Sequence, residues 1–189
     1  MMTRHGAILL LALFICDAMS LSLVQGPQVG NVTDSTITFS WFTDSAAGSR
    51  VDYGTASNSL TLSVEDTHSV QWHVIQAVGL SAGTRVFYRV HSGSSQSSVF
   101  FCKTLPGVGK PFRFGSFGDT HGGTSITLAA PLLVLDSCDF FFNIGDVVGA
   151  NNVPETTAFQ ACLNYKKRSD SLEHYVPVYE TFGNHEAYG

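Results

Sequence analysis

From Leu23 to Pro106 the chain alternates apolar and polar residues in short bursts broken by turn residues. Thr36–Phe42 (TITFSWF), Ser49–Tyr53 (SRVDY), Ser59–Val64, Val70–Val78, Arg85–His91 and Ser98–Lys103 carry the two-residue period of half-buried strands. Six or seven strands at this spacing predict an all-β sandwich, with Trp41 of TFSWF as a buried aromatic. The pattern breaks at Leu105–Lys110 (LPGVGK), where proline and glycine fit neither a strand nor a helix. Beyond it, Phe112–Phe117 (FRFGSF), Phe140–Ile144 (FFFNI) and Val176–Phe182 (VPVYETF) read as short buried strands. The segments between them, Thr124–Leu135 and Pro154–Ser171, read as helices, the first kinked or restarted at Pro131. In the second, Pro154 suits a first helical position and Glu155 the positive first turn. Phe159, Cys162 and Leu163 form an apolar stripe, and Lys166-Lys167-Arg168 is a solvated end. Strand, helix, strand, helix, strand predicts a parallel sheet, whose ligand edge lies at the carboxyl ends of its strands.

A polar patch follows each of the three strands at that edge: Asp119-Thr120-His121, Gly145-Asp146, and Gly183-Asn184-His185-Glu186. Asp119 and His121 are two apart, so on an extended backbone their side chains leave the same face and close on one cation. Asp146 has two oxygens with which to bridge two cations, and Asn184 offers a neutral carbonyl oxygen to the second. His185 is left free to act on a substrate. Mixed Asp, His and Asn donors suit Fe, Mn or Zn better than Ca or Mg. Each patch taken singly is also an ordinary turn sequence; three in order on one sheet edge point to a dinuclear metal site.

The ordered set GDTH, GD and GNHE resembles the first three motifs of the calcineurin-like metallophosphoesterases, D-x-H, G-D and G-N-H-[DE]. That resemblance implies an α/β domain with a β-sandwich core flanked by helices. It also implies that Asp119 and His121 hold the first metal, Asp146 bridges, Asn184 holds the second and His185 faces the phosphate. A second resemblance covers Val29–Pro106: SWFTDSAAGSRVDYGT, AVGLSAGTRVFYRV and VFFCKTLP are similar to the fibronectin type III-like domain that precedes the catalytic domain of purple acid phosphatases. Two positions depart from that branch. Its tyrosine ligand falls at Gly149 here, and its first motif has glycine where this chain has His121, so the implied metal shell is that of the colourless relatives. The family's later histidine and Gly-His-x-His do not occur within Met1–Gly189, so the chain reads as an N-terminal part of such a protein, its active site incomplete.

The implied activity is phosphoester hydrolysis, pointing to phosphomonoesters as in acid phosphatases. Two cations about 3.5 to 4 Å apart would hold a hydroxide for in-line attack, and His185 would stabilise charge or protonate the leaving alcohol. The competing reading is a secreted β-sandwich binding module carrying a catalytically dead metallophosphoesterase remnant.

Composition narrows the setting. With 13% charged residues and a net charge of −5, the chain has no basic stripe for nucleic acid. Met1–Ser20 has Arg4, an apolar core from Ala7 to Ile15 and small residues after it, the layout of a secretory signal peptide cleaved after Ser20. Its apolar core is shorter than the roughly 20 residues of a membrane span. The expected organisation is a signal peptide over 1–20, the sandwich over 21–106, a linker over 107–111 and the metallophosphoesterase part over 112–189, in a secreted or lumenal protein with no membrane contact after cleavage. Cys16 leaves with the leader. Cys102, Cys138 and Cys162 remain, an odd number, and a Cys138–Cys162 pairing stays open. Asn31-Val32-Thr33 is a glycosylation sequon. His68, His73, His91 and His174 belong to no motif and read as surface or packing residues. Nothing in the sequence sets an oligomeric state.

Overall fold

The alternation in the first long run becomes a strand with one buried edge: Ile37, Phe39 and Trp41 are fully buried, with Thr38, Ser40 and Phe42 on the other face. The computed structural model describes residues 21–149 and 154–187; the leader assigned to Met1–Ser20 lies outside the described residues. Strand β1 (Leu23–Gly30) pairs with β2 (Ile37–Gly54), which pairs in turn with β3 (Leu62–Ala77). Then β4 (Arg85–Ser92), β5 (Ser95–Gln96) and β6 (Phe100–Lys103) complete a six-stranded antiparallel sheet.

Two strand boundaries read from the sequence are not boundaries. Thr36–Phe42 and Ser49–Tyr53 fall in the single strand β2, and Ser59–Val64 and Val70–Val78 meet in β3. The polar stretch Asp44-Ser45-Ala46 looks like a turn but is a bulge, across which the register jumps from Phe42↔Trp72 to Ala47↔Val70. Extra residues on one strand bend the ladder without ending it. Because the first half of β2 pairs with β1 and the second half with β4, the sheet folds over on itself. Phe39, Trp41, Val51, Ile75, Tyr88 and Val90 then meet in one core, which is the expected sandwich. Strand β1 escaped the sequence patterning because Gln25 and Gln28 are buried in it and Pro27 interrupts it.

The Trp41 indole donates to Ser92 Oγ at 2.8 Å and stacks on His73, ring centroids 4.8 Å apart. His73 is wholly buried and bonded to Thr43 and Ser49, so it is a packing residue. Cys102 is also buried in this core; it, Cys138 and Cys162 are all free thiols, so the open Cys138–Cys162 pairing is not formed.

After Lys110 come β7 (Phe114–Phe117), α1 (Ser125–Leu135), β8 (Phe140–Asn143), α2 (Glu155–Glu173) and β9 (Val178–Glu180). The three strands are parallel and ordered β7-β8-β9, as the alternation with helices required. Phe141 points to the helices and packs with Ile126, Ala130, Tyr165 and Leu172. The opposite face carries Phe114, Phe140 and Phe142, the first two stacked at 5.7 Å; Phe114 is 56% exposed and Phe142 40%. Helix α1 continues through Pro131. Pro154 proves to be the N-cap of α2, and the helix runs on to Glu173. Its buried face is Tyr165, Ser169, Leu172 and Glu173, whereas Phe159 and Cys162 of the expected stripe are exposed.

The carboxyl-terminal half of α2 lies against the sandwich. Asp170 accepts hydrogen bonds from Gln25 Nε2 (3.0 Å) and Gly26 N (3.1 Å) of β1. His174 contacts the Pro27 carbonyl through Nδ1 at 2.6 Å and stacks on Phe100 at 4.0 Å, and Tyr88 Oη donates to the His174 carbonyl at 2.7 Å. Residues from three sandwich strands thus fix the helix that backs the parallel sheet.

Candidate metal centre

Parallel strands deliver their carboxyl ends to one edge, so the turns after Phe117, Asn143 and Glu180 start side by side. Backbone hydrogen bonds carry on past the strands. Ile144 N donates to Phe117 O (2.8 Å), Asp119 N to Gly145 O (2.9 Å), His121 N to Asp146 O (2.9 Å) and Gly122 N to Val147 O (2.7 Å). The first two polar patches are therefore zipped together before any side chain is considered.

The third patch is tied on by one carboxylate. Glu186 accepts from Asp146 N (2.9 Å) and Gly183 N (2.8 Å) through Oε2, and from Val148 N (3.1 Å) through Oε1. Burial works against the charged carboxylate, but these N–H donors outweigh it and hold the Glu186 pKa below its usual range. Asp146 Oδ1 also accepts from His185 N at 2.9 Å. The loops can come this close because residue 183 is glycine: a Cβ there would lie 2.1 Å from Asp146 Oδ1 and 2.4 Å from Asp146 N. Gly145, at φ 99°, is the matching case, its missing Cβ falling 2.5 Å from Gly183 N.

His121, Asp146 and His185 converge, each placing one ligating atom within 4.8 Å of the other two. The two imidazoles are 4.2 Å apart, inclined at 62°. Asp119 reaches this group through His121, its Oδ1 lying 2.6 Å from His121 Nε2. Asn184 is exposed and opens α3 (Asn184–Ala187), one residue ahead of His185. The expectation of an extended Asp119-x-His121 is corrected. Asp119 (φ 57°) and His121 (φ 48°) are both left-handed, so a tight turn, not a strand, brings their side chains together. Asp146 is left-handed too, at φ 53°. Asp, Asn and His are the side chains that tolerate this region best, and such conformations persist where surrounding contacts over-determine them.

The arrangement fits a transition metal. His185 Nδ1 is buried with no hydrogen-bond partner among the described residues, although it stands beside a carboxylate and a second imidazole. Buried polar atoms are rarely left so, and imidazoles beside a carboxylate are a donor set suited to a nearby cation.

Three features of the site had no role assigned from sequence. Glu186 is visible in the motif, but its grip on three backbone amides requires the fold. Asn143, wholly buried, spans Tyr165 Oη (2.5 Å) and Gly145 N (3.2 Å). The run Lys166-Lys167-Arg168 is not simply a solvated helix end. Lys166 Nζ lies 3.0 Å from Glu173 and 2.8 Å from Glu180, and Arg168 Nη1 donates to the Gly122 carbonyl. Burial would lower the Lys166 pKa, but the two carboxylates raise it well above its ordinary value.

Comparison with known proteins agrees with the fold. A family described as "Calcineurin-like phosphoesterase" matches residues 112–189, and one described as "Purple acid Phosphatase, N-terminal domain" matches residues 27–104. No curated protein sequence matches the chain significantly. Among solved structures, one titled "Structure of PhoD" is similar at a TM-score of 0.65 and 16% identity, over 86% of this chain and 39% of that one. The purple acid phosphatase PPD1 from yellow lupin (Lupinus luteus) seeds is similar at a TM-score of 0.64 and 16% identity, over 85% of this chain and 35% of that one. At such identities the likeness is one of fold, and the chain spans well under half the length of either. The chain is therefore similar to a purple acid phosphatase N-terminal domain over residues 27–104 and to calcineurin-like phosphoesterases over residues 112–189.

Proposed function

We propose that this chain contributes to a secreted, metal-dependent phosphoesterase that hydrolyses phosphomonoesters, with His121, Asp146 and His185 at its centre. The observation that carries the reading is their convergence at the carboxyl edge of a parallel sheet, with the buried His185 Nδ1 left unpartnered. The proposed ligand set is Asp119, His121, Asp146 and Asn184, in a site for two ions drawn from Fe, Mn or Zn, with His185 beside it. Bound cations supply Lewis-acid charge towards phosphoryl oxygens and favour ionisation of water at neutral pH.

The chain's own residues do the rest. His121 and Asp146 offer an imidazole and a carboxylate held by backbone hydrogen bonds, so little reorganisation accompanies ligand binding. The Asp119 carboxylate orients the His121 ring. Asp146 presents Oδ1 to His185 N, and its carboxylate would hold the ions. His185 sits next to the metal ligands, where it stabilises negative charge on the transferring phosphoryl group or gives a proton to the leaving alcohol. With Gly149 in place of an aromatic ligand, no tyrosinate colour is expected. Residues 21–189 alone are expected to be inactive, because the second ion has only Asn184 as a private ligand.

The test is hydrolysis of p-nitrophenyl phosphate against bis(p-nitrophenyl) phosphate by the longest natural gene product containing this sequence, with and without chelator. Monoester turnover that chelator abolishes and His185→Ala lowers by about 100-fold or more supports the proposal. Turnover indifferent to chelator, or absent with metal fully bound, refutes it.

A further inference from the structure

Helix α2 turns one face towards the two zipped loops. Tyr165 and Arg168 are three residues apart and so neighbours on the helix surface. Tyr165 is 1% exposed, and its hydroxyl accepts a hydrogen bond from Asn143 Nδ2. Asn143 Oδ1 in turn accepts from Gly145 N, the amide just before Asp146. Arg168 donates through Nη1 to the carbonyl of Gly122, the residue just after His121, and the Gly122 amide is the one bonded to Val147 O.

We infer that Tyr165 and Arg168 are positioning residues of the metal centre: Tyr165 sets Asp146 through the Asn143 amide, and Arg168 sets His121 through the Gly122 carbonyl. This rests on the metal-centre reading above and assigns work to a helix that contributes no ligand. The physical case at Asn143 is one of satisfiability. Its amide is buried and must present oxygen to the Gly145 N–H; the phenol oxygen, by taking the nitrogen end, fixes which way the amide faces. Without the phenol oxygen, Nδ2 becomes a buried donor with no acceptor, and rotation of the amide would set NH₂ against the Gly145 N–H. Left-handed Asp146 would then lose one of the anchors on its amino side, the Gly145 N–H bond, beside those through Glu186 and Asp119. At the other loop, the left-handed His121 is held on its amino side by Asp146 O and on its carboxyl side by the guanidinium bond to Gly122. A charged donor to a backbone carbonyl is among the stronger single hydrogen bonds, and its length and planarity are not matched by lysine.

The test uses the chain itself and Co²⁺ alone, read by its visible absorption, alongside amide hydrogen exchange without metal. Tyr165→Phe and Arg168→Ala are each expected to lower Co²⁺ affinity by about 10- to 100-fold. Arg168→Lys should recover part of that loss, and Lys167→Ala, exposed on the same helix, should leave affinity unchanged. In metal-free protein, Tyr165→Phe should speed exchange selectively at residues 143–148, and Arg168→Ala at 118–124. Wild-type affinity in both variants, or exchange that rises uniformly across residues 112–187, overturns the inference. If the unaltered chain fails to bind Co²⁺, the metal reading fails, and the two exchange patterns still decide whether these side chains position the loops.

Discussion

Glu186→Gln isolates the carboxylate that ties the third loop to the second. In the native site Oε2 serves two amides, Asp146 N and Gly183 N, and Oε1 serves Val148 N. A glutamine has one acceptor oxygen. If it takes the Oε2 position it keeps two bonds, now to a neutral acceptor, and turns its NH₂ against the Val148 N–H. Hydrogen bonds to a charged group contribute about 1.5–3 kcal/mol and neutral ones about 0.5–1.5, so the two retained bonds weaken by about 1 kcal/mol each and the third is lost. The sum is about 3.5–5 kcal/mol in a dry site. Glu186 is only partly buried, and water can replace part of the loss, which brings the expected cost to about 2 kcal/mol. Since the loops must be together to hold Asp146 and Asn184 at the ion site, that cost appears as metal affinity, about 30-fold weaker at 1.4 kcal/mol per decade. Isothermal titration of Zn²⁺ into the chain and the variant measures it, with Glu155→Gln, exposed at the start of α2, as the control. Glu186→Gln with unchanged affinity and an unchanged melting temperature would refute the claim that this carboxylate holds the loops together.

Two further outcomes follow from the same geometry. Gly183→Ala must push Asp146 away from a Cβ 2.1 Å from its Oδ1, so metal affinity should fall by about 100-fold or more while the sandwich core keeps its near-ultraviolet signal; native-like Zn²⁺ binding would contradict this. Burial pushes the Asp170 carboxyl up to about 6 despite the hydrogen bonds from Gln25, Gly26 and Gln28. The folded chain therefore holds this proton more tightly than the unfolded chain, whose pKa is near 3.9, and stability contributed here is present at low pH and lost as pH rises from about 4 to 6, by up to about 3 kcal/mol. Asp170→Asn should flatten that part of the stability profile measured by urea melts; an identical profile in the variant would show that Asp170 does not carry it.

The legible parts of this chain are those in which one residue's chemistry fixes its surroundings. Ile37, Phe39 and Trp41 alternate with polar or half-buried neighbours, so the strand and its inner face could be read directly. The apolar runs ending at Phe117, Ile144 and Phe182 are each followed by Gly and then Asp or Asn, and this put His121, Asp146 and His185 on one edge. What stayed hidden depended on partners far away in sequence. Asp44-Ser45-Ala46 looks like a loop until β3 supplies the ladder that makes it a bulge. Phe159 and Cys162 fit a helical stripe, yet the buried face of α2 is set by Tyr165 and Leu172, which meet Asn143 and Phe141 across the sheet. Arg168 lies in a basic run that sequence alone cannot distinguish from a solvated helix end, because its acceptor is a backbone carbonyl with no sequence signature. The left-handed turns at Asp119, His121 and Asp146 follow from the backbone zip between two loops.

X-ray absorption at the zinc edge, on Zn²⁺-loaded chain and on His121→Ala and Asp146→Asn variants, tests the central claim most directly. Convergence of His121, Asp146 and His185 predicts imidazole scattering around the ion in the unaltered chain, reduced in His121→Ala, and a weakened or lost ion in Asp146→Asn. Zinc without imidazole neighbours, or a spectrum unchanged by both substitutions, would place the metal elsewhere and contradict the account.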